Sequence, residues 1–279
     1  MKWIDVHVHV GRLWDAYPPM TVDIMLRWMD ANEIEAAVPL PLESPESSSY
    51  YILTRDMLAL CKQHPDRFIP FCVVDPRVAV SDGKRSVRNI VKQYAEEGAK
   101  GFGELKAGLP FNDPKMQALY AACDEFRLPL LFHCDHIRCT DDPQLTGLEA
   151  MLAAYPNVQF IGHAQGFWAA VSGDARQEEM SGYPKRPVAP GGAVDRLMDA
   201  YGNLYADLSA GSGHNAITRD WAFGEAFLER RHTRLLFGTD FLRPNQPIPQ
   251  FEMFAKANLS EKARRAIAYE NASRLFGQT

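Results

Sequence analysis

Short apolar runs and helix-like segments alternate along the whole chain, and this alternation restricts the fold more than any other feature of the sequence. Eight runs have strand character: 3–10, 36–40, 67–75, 99–106, 128–133, 158–163, 203–208 and 234–240. Strands that alternate with helices form parallel sheets, either closed into a barrel or open and doubly wound. A doubly wound sheet usually carries a glycine-rich phosphate turn after its first strand, and none follows here. The sequence therefore predicts an α/β fold, a (β/α)8 TIM barrel, as a single domain over residues 1–279.

Helical segments fill the intervals between these runs. Helices are predicted at 22–32, 51–63, 84–97, 112–126, 142–155, 194–201 and 221–230, and from 249 to the C-terminus. Asp113 before Pro114 is typical of a helix start, and Ser260 is a predicted N-cap of the last helix. The stretch 164–192 breaks the rhythm, because it is rich in glycine, proline and charge and is too long for an ordinary connection.

Two histidines on the first strand raise the question of a metal. Asp5, His7 and His9 alternate with apolar residues, so they share one face of the strand. Neutral imidazoles at positions i and i+2 can bind one divalent ion together. On its own such a pair is more often two histidines of a half-buried strand, so the other strands have to supply further ligands.

Polar residues at the strand ends supply them. In a (β/α)8 barrel the active site lies at the carboxyl ends of the strands. Six residues fall at these ends: His7, His9, Glu104, His133, His163 and Asp240. Zinc enzymes typically use about three protein ligands and leave one position for water. The set therefore predicts a catalytic metal site.

Three acids near these ends allow more than one interpretation. Glu104 is a metal ligand, a bridge between two metals, or the partner of Lys106, which lies on the same face two residues further on. Asp207 ends the seventh strand and can orient a histidine from behind the metal. Asp5 lies one layer below His7 and is interpreted as structural.

Charge and cysteine content indicate which partners and which cellular compartment to expect. The net charge is −5 and no basic run occurs, which argues against a nucleic-acid partner. No apolar run is long enough for a membrane helix, and no signal-like segment precedes the first strand. Five cysteines without a disulfide pattern suit a reducing compartment, and Cys134 and Cys139 are interpreted as free thiols of a loop. We therefore expect a cytoplasmic protein.

Several strand-end motifs together resemble those of a known superfamily. The motifs are Asp5-Val6-His7-Val8-His9, Phe132-His133, Gly162-His163-Ala164, Phe237-Gly238-Thr239-Asp240 and Glu270-Asn271-Ala272-Ser273-Arg274-Leu275-Phe276. They resemble the amidohydrolase superfamily, and within it the amidohydrolase-2 branch, which includes aminocarboxymuconate semialdehyde decarboxylase and related aromatic acid decarboxylases. The resemblance covers the whole chain. It implies a distorted barrel of the metallo-dependent hydrolase type and a divalent metal, usually zinc, with manganese or another ion as an alternative.

The resemblance also implies roles for individual residues. It assigns metal binding to His7, His9, His133 and Asp240. It places His163 near the metal water or the substrate as a proton-transfer residue, and it implies a homodimer. Decarboxylases of this branch generally have no residue like Glu104, so the number of ions, one or two, and the reaction both stay open.

Metal-assisted hydrolysis is the leading functional hypothesis. The metal lowers the pKa of a bound water from about 16 toward 7. Asp240 then takes the proton and delivers it to the leaving group, while His163 polarises the scissile carbonyl. The expected substrate is a small organic acid derivative: a lactone, an amide or an ester. The alternative is nonoxidative decarboxylation of an aromatic or unsaturated acid, and a barrel that binds without turnover is a third hypothesis.

Position alone suggests the substrate contacts. Arg12 follows His9, Arg243 follows Asp240, and Trp168 lies in the 164–192 stretch, so these three are candidate substrate-binding residues. Aromatic and cationic side chains at a mouth suit a small anionic substrate. A solvated loop or a subunit contact is the alternative explanation of the 164–192 stretch.

Overall fold

All eight predicted strands are present in the computed structural model, which describes residues 1–78 and 86–277. They are β1 (Trp3–Val8), β2 (Ile34–Pro39), β3 (Phe71–Cys72), β4 (Gly101–Leu105), β5 (Leu130–His133), β6 (Phe160–His163), β7 (Leu204–Asp207) and β8 (Leu235–Leu236). Strands β3 and β8 are only two residues long, shorter than the predicted runs 67–75 and 234–240. Pro70 lacks the N–H group that a longer third strand would need on its hydrogen-bonded edge.

Helices separate the strands as predicted. They are α1 (Val22–Ala31), α2 (Thr54–Gln63), α3 (Val87–Glu96), α4 (Pro114–Phe126), α5 (Thr146–Ala154), α6 (Ala164–Ala169), α7 (Ala193–Ala200), α8 (Ala210–Thr218), α9 (Trp221–Arg231), α10 (Gln250–Lys256), α11 (Glu261–Arg265) and α12 (Asn271–Phe276). The predicted caps are confirmed, since Asp113 accepts from the Lys115 amide and Ser260 from the Ala263 amide. Ser260 caps α11, which continues through a π-helical turn at Ala266–Glu270 into α12, the last helix. The start of the predicted helix 84–97 lies outside the described residues.

Two helices were not predicted. Helix α8 carries two glycines and a serine, which are weak helix formers, so its sequence does not indicate a helix. Helix α6 begins directly after His163, inside the 164–192 stretch, and a 3-10 turn follows at Gln177–Ser181. None of the described helices combines the length and the apolar character that a membrane span requires.

The strands follow one another in sequence order around a circle. Strands β1 and β2 pair in parallel, and β3 to β8 form a second parallel sheet in the order of the chain. Two isolated parallel bridges join the sheets, from Ala37 to Phe68 and from Val8 to Phe241. A backbone hydrogen bond extends the contact between the end of β1 and the segment after β8, because the Asp240 N–H donates to the His7 carbonyl at 2.8 Å. The prediction of a (β/α)8 barrel is confirmed.

Strand β1 differs from a regular half-buried strand. All six of its residues are buried, and its pairing with β2 is irregular between Asp5 and Val8. Ile4 and Val6 pack in one apolar cluster with Leu131, whereas Val8 packs in a second, larger cluster. The irregularity lies where the strand presents its histidines.

Candidate metal centre

The two histidines of the first strand meet through their Nε2 atoms, which are 3.2 Å apart in a fully buried position. The Nδ1 atom of His7 lies 2.7 Å from Asp207 Oδ2, and the Nδ1 atom of His9 lies 3.0 Å from the Leu40 carbonyl oxygen. Both partners only accept hydrogen bonds, so each neutral ring carries its hydrogen on Nδ1. Two Nε2 lone pairs therefore face each other.

Two carboxylates complete this group of acceptors. Glu104 Oε2 lies 3.5 Å from His7 Nε2 and 3.4 Å from His9 Nε2. Asp240 Oδ1 lies 3.6 and 3.5 Å from the same two nitrogens. Four acceptor atoms this close repel one another unless a cation lies among them. Their nitrogen and oxygen chemistry suits a divalent transition metal, so these residues fit the metal that the sequence predicts.

The pKa shifts follow from this crowding. Burial lowers the pKa of His7, but nearby carboxylates, chiefly Glu104 and Asp207, outweigh burial and raise it well above its ordinary value. Burial raises the pKa of Asp240, but the rings of His7 and His9 outweigh it and lower that pKa. In the absence of a metal, a proton on His7 takes the place of the cation.

Glu104 serves two neighbours. Its Oε2 atom also lies 2.8 Å from the Lys106 ammonium, and its Oε1 atom lies 2.8 Å from His133 Nδ1. Burial raises the pKa of Glu104, but Lys106 and His7 outweigh it and hold the carboxyl ionised. The pairing with Lys106, one of the interpretations left open by the sequence, is therefore present, and the same carboxylate lies close to the His7 and His9 nitrogens.

His163 at the end of β6 is oriented from behind. Its Nδ1 atom lies 3.1 Å from Asp207 Oδ2 and 3.0 Å from Ser209 Oγ, and its Nε2 atom lies 3.9 Å from Glu104 Oε1. Burial and the charge of His7 lower the pKa of His163, so the ring is neutral near pH 7. With hydrogen on Nδ1, its Nε2 atom points into the site with a lone pair.

Asp207 orients His7 and His163 together. Its Oδ2 atom contacts both Nδ1 atoms, and its backbone carbonyl accepts from the Trp168 indole at 3.0 Å. The sequence indicated that Asp207 could orient one histidine, and in the structure its carboxylate contacts two, His7 and His163. Burial raises the pKa of Asp207, but the charge of His7 and the hydrogen bonds from His163 and His7 outweigh burial and hold that pKa well below its usual range.

His133 stands apart from the other histidines. Its Nδ1 atom faces Glu104, and its Nε2 atom lies 3.0 Å from Asp135 Oδ2. Among the described residues, two sets of three fit one ion, His7 with His9 and Asp240, and His7 with Glu104 and His163. His133 is in neither set. Asp135 was not predicted as part of the site, although its position two residues after His133 was a usable signal.

The surroundings of Asp5, Cys134 and Cys139 fit structural roles and not metal binding. Burial raises the pKa of Asp5 to about 7, while hydrogen bonds from Thr239 and from the His7 amide oppose this. Cys134 and Cys139 are buried free thiols, and burial raises the pKa of the Cys134 thiol well above its ordinary value. A thiol held protonated in this way does not favour zinc binding.

The mouth of the barrel carries two of the three candidate substrate residues. The Arg243 guanidinium lies 4.6 Å from the centre of the Tyr17 ring, and that of Arg12 lies 5.0 Å from the centre of the Tyr50 ring. Arg12 also bonds Asp15 at 3.2 Å. Trp168, in contrast, is buried, with 1% of its surface exposed.

The 164–192 stretch folds back on itself beside this mouth. The Gly173 amide donates to the Ala189 carbonyl at 2.9 Å and closes the loop. Within it the Arg186 guanidinium bonds the carboxylates of Asp174 and Glu179. Its exposed Tyr183 hydroxyl lies 3.4 Å from the Gln165 amide nitrogen, two residues after His163.

A barrel of eight parallel strands with buried histidines and carboxylates at its carboxyl end defines a class of enzyme, the barrel enzymes built around a divalent metal. The amidohydrolase family model matches residues 4–278, and the chain belongs to this family. No protein of curated function matches the chain.

Solved structures agree with the fold. A TIM-barrel protein from Bordetella bronchiseptica, described as uncharacterized, is 17% identical with a TM-score of 0.72, and the match covers 100% of this chain and 99% of that one. A probable 2-pyrone-4,6-dicarboxylic acid hydrolase from Acinetobacter baumannii, with citric acid bound, is 16% identical (TM-score 0.63; 99% and 100% covered). A dihydroxybenzoic acid decarboxylase from Polaromonas, with manganese and 2-nitroresorcinol bound, is 18% identical (TM-score 0.63; 99% and 97% covered).

Proposed function

We propose that this protein is a metal-dependent hydrolase of a small organic acid derivative, such as a lactone, an amide or an ester. The observation that carries the proposal is the position of Asp240. Its Oδ1 atom belongs to the acceptor group around His7 and His9, yet 20% of its side chain is exposed, whereas the Glu104 side chain is fully buried. Water and substrate that enter from the mouth therefore meet Asp240 beside the metal donors.

One divalent ion suits this donor set better than two. Both sets of three residues that fit an ion use His7, and Asp207 engages the Nδ1 atom of that ring. A single nitrogen cannot serve two separate ions, so we assign the metal to His7, His9 and Asp240, with Glu104 beside it. When bound, the ion supplies Lewis-acid polarisation of a substrate oxygen and of water. Zinc is our first candidate and manganese the second, because the Polaromonas neighbour holds manganese.

Two residues handle protons in this proposal. Asp240 is ionised at neutral pH, so its carboxylate accepts a proton from the attacking water and passes it to the leaving group. His163 offers an Nε2 lone pair, which makes it a second proton acceptor. Polarising a carbonyl through Nε2, the role given to His163 by the sequence analysis, requires the protonated ring instead.

The substrate we propose is anionic and is bound at the mouth. Arg243 lies three residues after Asp240, and no carboxylate partner is found for it among the described residues. Arg12 already bonds Asp15. We therefore expect Arg243→Gln to raise KM about tenfold with little change in kcat, and Arg12→Gln to have a smaller effect. Equal KM values for Arg243→Gln and the wild type would contradict the proposed contact between Arg243 and the substrate.

Decarboxylation of an aromatic or unsaturated acid is the second candidate. The observation in its favour is the buried Nε2 atom of His163 beside Glu104, which suits proton transfer away from bulk water. The neighbours include a probable hydrolase and several decarboxylases at 14–18% identity, so they do not decide between the two reactions. The homodimer and the cytoplasmic location stay predictions of the sequence.

The deciding experiment combines metal analysis with two substrate panels. Protein purified without added metal is analysed for metal content, stripped with a chelator, and reloaded with zinc or manganese. Lactones, amides and esters of small acids are assayed for product, and aromatic acids for carbon dioxide. We expect about one ion per chain and hydrolysis that disappears on stripping and returns on reloading. Carbon dioxide release alone supports the second candidate, and full activity without metal contradicts both.

A further inference from the structure

The Ser209 hydroxyl lies at the meeting point of three groups of the site. Its Oγ atom is 2.7 Å from Asp207 Oδ2, 3.0 Å from His163 Nδ1 and 3.3 Å from His7 Nδ1. Ser209 is completely buried. No step of the proposed reaction uses it, so its position calls for a separate explanation.

The number of hydrogen-bond donors around Asp207 Oδ2 indicates the role of the Ser209 hydroxyl. Asp207 Oδ2 accepts from His7 Nδ1 at 2.7 Å and from Ser209 Oγ at 2.7 Å. One carboxylate oxygen has room for about two good hydrogen bonds. The Nδ1 hydrogen of His163 is a third donor, and the remaining lone pairs of Ser209 Oγ accept it at 3.0 Å. The four groups thus form one network in which every hydrogen has a place.

His163 has a competing arrangement. A hydrogen on its Nε2 atom would face Glu104 Oε1, which lies 3.9 Å away. That tautomer removes the lone pair that the proposed reaction uses. The Ser209 hydroxyl favours the productive tautomer, because its Oγ atom accepts at 3.0 Å from Nδ1, beside Asp207 Oδ2 at 3.1 Å, whereas Glu104 Oε1 is 3.9 Å from Nε2.

The surrounding backbone is shaped for this network. The Ser209 amide donates to Asp207 Oδ1 at 2.9 Å, which fixes the serine relative to the carboxylate. Just beyond the neighbouring strand β8, a Cβ added to Gly238 would lie 2.3 Å from Asp207 Oδ1 and 2.9 Å from Ser209 Cβ. Only glycine leaves room for Asp207 and Ser209 at this point.

We propose that Ser209 is a positioning residue that acts with Asp207 to hold His163 with its hydrogen on Nδ1. Asp207 serves both His7 and His163, whereas Ser209 acts mainly on His163. The effect on turnover rests on the proposed function, but the tautomer of His163 does not depend on it.

The test compares Ser209→Ala, directly before α8, with a matched control within that helix. Ser212→Ala removes a buried hydroxyl from α8, and Ser212 Oγ has no hydrogen-bond partner in the described part of the chain. For Ser209→Ala we expect kcat about tenfold lower, an unchanged KM and unchanged metal content. Ser212→Ala should match the wild type.

Two further readouts separate positioning from a general loss of structure. Nitrogen-15 NMR of the histidine rings, recorded on metal-free protein, should give the Nδ1–H tautomer of His163 in the wild type and a tautomer mixture in Ser209→Ala. Asp207→Asn should weaken metal binding about 10- to 100-fold as well as lower kcat. The double variant should be no worse in kcat than Asp207→Asn alone, because both residues act through one network.

Each outcome bears on the proposal. A wild-type kcat and unchanged His163 signals in Ser209→Ala would overturn it. Independent, multiplying losses in the double variant would also overturn it, since Ser209 would then act by another route. If the wild type holds no metal, the proposed function fails, while the NMR comparison still decides the role of Ser209.

Discussion

The histidines on the two sides of the site are held in different ways. His7 and His163 each contact the carboxylate of Asp207 through Nδ1, and their Nε2 atoms point into the site. His133, which also ends a strand, has a carboxylate at both nitrogens, Glu104 at one and Asp135 at the other. All three rings have the same place in the barrel pattern. The difference teaches that the partner of the second nitrogen decides whether a histidine is available to a metal.

Asp135 is itself tightly held, which makes its contact with His133 specific. Its Oδ1 atom accepts from the amides of Ile137 and Arg138, both at 2.7 Å, and its Oδ2 atom accepts from the Arg138 guanidinium at 2.7 Å. Burial raises the pKa of Asp135, but its contacts with His133 outweigh burial and hold that pKa well below its usual range. The carboxylate therefore stays ionised beside the ring of His133.

The largest effect is expected from His7, on the side oriented by Asp207. His7→Asn removes the one nitrogen that both possible donor sets share. We expect metal content to fall close to zero and activity to drop by about a thousandfold or more. Elemental analysis and kcat/KM measure both, with the exposed His136→Asn as the control for metal content. Retention of a full metal complement by His7→Asn would remove the distinction between the two sides.

The pH dependence of the rate examines the same side. Burial lowers the pKa of His163 below its ordinary value of 6.5, so the ring is neutral at pH 7 and gains a proton only at lower pH. The lone pair is then lost, and we expect kcat/KM to fall about tenfold per unit below that pKa. The pKa of Asp240 is lowered from its ordinary value of 3.8, so Asp240 stays ionised at the pH values at which His163 gains its proton. An acid limb centred above pH 7 would contradict this assignment.

A smaller effect on metal is expected on the side of His133. Because both its nitrogens contact carboxylates, we expect His133→Asn to keep about one ion per chain, with metal affinity changed less than about threefold. The family resemblance implies the opposite, a loss of metal similar to that of His7→Asn. Competition with a fluorescent chelator, run on both variants side by side, distinguishes the two. Comparable losses would mean that His133 turns away from Asp135 to bind the ion.

The sequence predicted the barrel and the strand ends well, for a physical reason. Apolar periodicity and capping residues such as Asp113 report local structure, and they lie within one element. The partners of the histidines are different, because His7 and Asp207 are 200 residues apart and meet only when the barrel closes. Ser209 gave no signal, since a serine after a strand is ordinary. Asp135 was within reach, because its position two residues after His133 places it near that ring.

The smallest effect on activity is expected from Trp168, which donates a hydrogen bond to the backbone carbonyl of Asp207. Trp168→Phe keeps an aromatic ring but removes the indole N–H that donates to the Asp207 carbonyl at 3.0 Å. Leaving a buried carbonyl without this donor costs about 1–3 kcal/mol in the free energy of unfolding. Because Trp168 is buried, we expect KM to stay within about twofold of the wild type. Denaturant unfolding and steady-state kinetics measure the two, with the partly buried Trp221→Phe as control. A raised KM with unchanged stability would instead place Trp168 against the substrate, as the sequence analysis proposed, and would show that the Asp207 side extends to the mouth.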